Sequence, residues 1–115
     1  MNRMPRVLLG GIVACAMAVV VPPARAHADQ WDYVAQLDNH GVSYSSITDV
    51  IDLGKSVCHQ LRSGEPVQSS FNDVVQQGYT ATESFIIVAA ATDMCPDVSA
   101  VVKDWARTNG LTVTG

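Results

Sequence analysis

Two arginines, Arg3 and Arg6, stand before an uncharged apolar run over residues 7–21, which stops at Pro22 and Pro23 and gives way to small residues. This order of positive charge, apolar core and A-x-A site is that of an export signal. It constrains the fold more than any other feature, because it decides which residues and which cysteines remain to build one. Two A-x-A matches compete, Ala24-Arg25-Ala26 and Ala26-His27-Ala28; the second is preferred because it leaves Asp29 as the new N-terminus. The expected division is a signal peptide over residues 1–28, a helical domain over residues 29–110 and a flexible tail over residues 111–115.

The same apolar run falls short of the about 20 residues needed to cross a bilayer, and no transmembrane segment is expected in the mature chain. A rival reading takes Ile12-Val13-Ala14-Cys15 as a lipobox with Cys15 as a lipidated N-terminus. The apolar run continues past Cys15, where a lipoprotein turns polar, which favours plain cleavage after Ala28.

Removing the signal changes the charge. All 11 acidic residues lie beyond it and Lys55, Arg62, Lys103 and Arg107 are the only basic ones there, for a formal charge of −7 over residues 29–115. Such a chain has no electrostatic footprint for nucleic acid or for anionic lipid headgroups. With 87 residues left it is one domain with a modest core, of a size that gains from a covalent brace. Cys58 and Cys95 remain, and in an exported chain two cysteines allow one intramolecular pairing.

Apolar periodicity and glycine stops predict an all-α fold, a bundle of four to five short helices. Asp29 is the expected N-cap of a first helix carrying Trp31, Val34, Ala35 and Leu37, which ends before Gly41. Ser45 or Ser46 caps a second, running to about Arg62, and a third, weaker helix follows Pro66. Thr80-Ala81-Thr82-Glu83 matches a capping box, so a fourth helix starts there. Residues 84–91 are apolar on nearly all sides, the composition of a helix in the middle of a bundle. Asp97 is the expected cap of a fifth helix, with Val98, Val101, Val102 and Trp105 on one face and Gly110 as its stop.

The adjacent pair Cys58–His59 raises the question of a reactive dyad. Turning each residue by 100° along the second helix places Ile47, Val50, Ile51, Gly54, Val57, Cys58 and Leu61 in one arc of about 120°. His59 falls about 100° from Cys58, among Thr48, Asp52 and Lys55, and helix neighbours do not face each other. A cysteine nucleophile needs an exposed thiolate bonded to a base. A disulfide with Cys95 is the preferred reading; an unpaired buried thiol and a catalytic or metal-binding cysteine are the alternatives.

Few other constellations carry chemistry. His40 and His59 are the histidines left beyond the signal, without metal-ligand spacing, and no catalytic residue, metal or cofactor is expected. Asp49 and Asp52 follow a helix N-terminus, where acids complement the dipole. Tyr33, His40, Tyr44 and Tyr79 lie near helix ends, with surface or boundary placement expected; they are also candidates for the mouth of a small apolar or haem-like pocket. Trp31 and Trp105 read as core or packing anchors.

Gly41-Val42, Gly54, Val57-Cys58, Leu61, Gly64, Phe85, residues 89–91 and Cys95-Pro96 together resemble domain of unknown function 732, a family of small exported actinobacterial, mainly mycobacterial, proteins. The resemblance covers about residues 31–96. It implies a helical, exported domain and lends no activity, because none is assigned to the family. Met94 departs from the aromatic residue that many relatives carry before the C-P dipeptide. The reading is therefore a secreted or cell-envelope protein that binds an unidentified protein partner. Its alternative, a carrier, requires an apolar cavity of about 300 Å³ or more between helices two, four and five. An interaction module requires a contiguous exposed apolar patch instead.

Overall fold

The computed structural model describes residues 22–111, with side chains from Gln30 onward. The apolar run, the lipobox cysteine Cys15 and residues 112–115 of the expected tail lie outside the described residues. Among the described residues five α-helices follow one another: α1 Pro22–Asn39, α2 Ile47–Arg62, α3 Val67–Gln76, α4 Ala81–Ala91 and α5 Ser99–Thr108, with a 3-10 turn at Pro96–Val98 before the last. No strand occurs among the described residues, so the fold is all-α.

α1 differs from its expected start. It begins at Pro22 and runs through Asp29, which is therefore inside the helix and not its cap. Prolines suit a first turn, whose N–H groups have no partner within the helix, and three alanines among residues 24–28 favour helix beyond them. The buried face is also turned from the expected one. Tyr33, Val34 and Leu37 point into the core, whereas Trp31 is 49% exposed and Ala35 is exposed.

α2 follows its sequence closely. The Ser46 hydroxyl accepts the Asp49 N–H at 3.0 Å, and Val50, Ile51, Gly54, Val57, Cys58 and Leu61 are buried. Ile47, in the same arc, is exposed at the helix start. The helix closes as Glu65 N–H donates to Gln60 O and Gly64 N–H to Leu61 O, each at 3.1 Å. This closure needs a left-handed residue, and Gly64 supplies it at φ +89°.

α4 packs against every other helix, as its apolar sequence requires. Its capping box is complete: Thr80 Oγ1 accepts from Glu83 N, and Glu83 Oε1 accepts from Thr80 N at 2.9 Å. Beyond α4, Cys95 is fully buried and bonded to Cys58, with the two Cα atoms 5.9 Å apart. Both sulfurs lie against the Ala91 carbonyl, at 3.2 and 3.4 Å, and since disulfide sulfurs carry no hydrogen these are packing contacts. Asp97 does not cap the fifth helix, which starts after the 3-10 turn; its carboxylate faces outward and takes Arg62 instead. Leu111, the first residue of the expected tail, is tied down: its N–H donates to Ala106 O at 2.7 Å.

Candidate functional site

Three places in this fold bear on function: the cysteine joint, a partly exposed aromatic face and a polar groove. At the joint, Cys58 is held in the disulfide, while His59 is exposed on the polar side of α2. The pair is therefore a staple with a bystander. Beside it Arg62 donates from Nε and Nη2 to the two Asp97 carboxylate oxygens at 2.9 and 2.7 Å. That fork holds the Asp97 carboxyl below the usual aspartate range, chiefly through hydrogen bonding to Arg62.

The tyrosines and the histidine proposed for a pocket mouth part company. Tyr33 is fully buried in the core, contrary to boundary placement, and its hydroxyl donates to Val50 O at 2.7 Å. A tyrosine can be buried once its hydroxyl has a partner, which explains why α1 turns this residue inward in place of Trp31. Burial, then the nearby Tyr79, pushes the Tyr33 hydroxyl far above its ordinary pKa. His40 stays on the surface, its Nδ1 2.9 Å from Gln36 O.

Tyr44 and Tyr79 do come together, lining a groove of about 790 Å³ between the α1–α2 loop, the outer face of α2 and the α3–α4 connection. Leu53 is part of its wall, and Asp49, Asp52 and Glu83 bring three carboxylates to it. The Tyr44 hydroxyl donates to Asp38 Oδ1 at 2.8 Å, which fixes that ring. Tyr79 is half-buried, and its pKa is raised first by burial and then by the charges of Glu83 and Asp49.

A smaller cavity of about 210 Å³ shares Leu53, Ser56 and Gln77 with this groove and continues it between α2 and α3. There the buried Ser70 hydroxyl donates to Gln60 Oε1 at 2.7 Å, and Gln60 Nε2 donates to Asp73 Oδ2 at 2.9 Å. The groove is not the cavity expected of a carrier. Its wall is largely hydroxyl, amide and carboxylate, and α5 takes no part in it. Tyr44, Tyr79, Asp49 and Asp52 are legible in the sequence only as separate residues, and nothing local marks Glu83 or Gln77 as part of a groove.

The aromatic face lies across α3, α4 and α5. Trp105 packs against Phe71 and Phe85, with ring centroids 5.5 and 6.2 Å apart, and its indole N–H donates to Gln68 Oε1 at 3.1 Å. All three rings are partly exposed. Val75 stands one turn from Phe71 and Val101 one turn from Trp105, 38% and 54% exposed, so the apolar surface continues from the rings on both flanking helices. Trp105 thus serves as the packing residue expected of it. Among the described residues no group of three histidine, cysteine or acidic side chains is placed to hold a metal ion.

No curated protein and no solved structure matches the chain. A family model does, over residues 27–97, which takes in the groove and both cysteines and stops within the 3-10 turn. That span is more than half of the 115 residues, and the chain belongs to the family described as protein of unknown function, DUF732.

Proposed function

We propose that this is an exported helical binding protein of the secreted fraction or cell envelope, which acts by contact with a partner protein and not by catalysis. The observation that supports it is the aromatic face. Phe71 and Phe85 each pack against Trp105, all three stay partly exposed, and Val75 and Val101 extend them. A connected apolar surface rimmed by polar residues is the composition of a protein contact, whereas single exposed apolar residues are ordinary. The bulk of each ring is already held by its neighbours, so little side-chain freedom is lost on docking. The signal-like N-terminus supports export, and the disulfide suits an oxidising compartment.

Photocrosslinking in the producing cell tests this reading. A photoreactive amino acid at Val101 or Val75 is expected to give one discrete protein adduct, and the same residue at exposed Asp32 on α1, a helix with no contact to α3 or α5, none. Equal, diffuse labelling from all three positions would sink the reading. The intact mass of the recovered protein checks the export step, since cleavage after Ala28 leaves a chain that begins at Asp29.

A further inference from the structure

We infer that the groove between α2 and the α3–α4 connection is a second docking site, and that its occupant is a lysine- or arginine-bearing segment of a partner protein. The groove has the volume of a ligand site, about 790 Å³, and its walls pair aromatic with charged chemistry. Tyr44, Tyr79 and Leu53 offer ring faces and an aliphatic surface for the stem of a long basic side chain. Cation–π attraction and stem packing favour such side chains on tyrosine.

Charge complementarity selects the occupant. Asp49, Asp52 and Glu83 reach the groove from two helices, and no lysine, arginine or histidine is among the residues that line it. The carboxylates also act at one place: Asp49 and Glu83 both raise the Tyr79 pKa, so their fields converge on its hydroxyl. A concave wall of low dielectric focuses such a field outward, and the acidic chain as a whole steers a cation toward it. The elements are held before any ligand arrives. Asp38 fixes Tyr44, the Thr80 N–H fixes Glu83, and Ser46 fixes the turn that carries Asp49.

The test is an amide-resolved NMR titration of the labelled protein with a terminally blocked Lys-Leu-Lys peptide, with Gln-Leu-Gln and Glu-Leu-Glu as controls. The expected result is saturable shifts at Leu53, Ser56, Gln77 and Tyr79 with the lysine peptide alone. Asp52→Asn should weaken binding about two- to fivefold, the size of one exposed charge pair, and Asp104→Asn on α5 should leave it unchanged. Both residues are exposed, so neither variant endangers the fold. An equal response to Gln-Leu-Gln, shifts spread over the whole acidic surface, or equal weakening by Asp104→Asn would each overturn the assignment. Crosslinks from Val101 do not depend on this groove, so the failure of one inference leaves the other standing.

Discussion

The two ends of α2 are built on opposite plans. Its C-terminal half is fastened: Cys58 is bonded to Cys95, Arg62 grips Asp97, and Val57 and Leu61 are buried. Its N-terminal half carries Val50 and Ile51 inward, while its other face lines an open groove of hydroxyls and carboxylates. Gly54 lies near the change between the two, with Ser56 beyond it still lining the groove. The disulfide and the ion pair that join α2 to another element thus meet at one joint, and the opposite end of the same helix displays polar side chains.

Removing the bridge is the strongest way to break that contrast. The disulfide closes a loop with a sequence separation of 37, which in the chain-entropy model stabilises by roughly 4 kcal/mol. A domain of this size has about 5–15 kcal/mol in total. Cys58→Ser with Cys95→Ser should therefore lose about a quarter to four-fifths of its stability, measured as the denaturant midpoint. If the double variant unfolds at the midpoint of the parent, the joint does not hold the bundle.

Gly54 tests the boundary between the halves. A Cβ there would lie 2.5 Å from Met94 Cε and 2.7 and 2.9 Å from ring carbons of Tyr33. The Met94 end can move, since thioether side chains adapt, but the buried Tyr33 ring is held by its bond to Val50 O. Overpacking costs about 1–3 kcal/mol and the better helix propensity of alanine returns up to about 1. Gly54→Ala should destabilise by a net of up to about 2 kcal/mol on these terms. Adding Met94→Ala should recover only part of the loss, because Tyr33 remains. Full recovery would mean that Met94, and not the α1–α2 contact, sets the close approach.

The legible parts of this molecule are those written locally. The α2 stripe, its serine cap and the Thr80–Glu83 capping box each depend on residues within a turn or two, and apart from the exposed Ile47 all stand as the sequence predicts. The disulfide followed from a count of cysteines. The misread parts depend on partners distant in sequence. Trp31 and Tyr33 exchange places because Val50, 17 residues on from Tyr33, offers its hydroxyl a carbonyl. Asp97 leaves the cap for Arg62, 35 residues away. The groove forms only when the α3–α4 connection turns back along α2, bringing Gln77, Tyr79 and Glu83 beside Asp49 and Asp52, a juxtaposition with no periodic signature.

The ion pair at the joint gives the smallest effect and separates ionic from covalent restraint. Arg62 holds the folded Asp97 pKa below its unfolded value, so at low pH the unfolded chain binds more protons than the folded one. The pair's contribution is thus present above the ordinary aspartate pKa and is lost as pH falls through the lowered folded value. Both side chains are about half exposed, at 52% and 55%, so solvent and salt screen the pair. Asp97→Asn should leave the neutral-pH midpoint nearly unchanged and flatten its decline in acid, and about 1 M salt should reduce the difference between the two proteins. A parallel acid decline in parent and variant would assign the acid sensitivity to carboxylates elsewhere, and would leave the disulfide as the joint's sole effective tie.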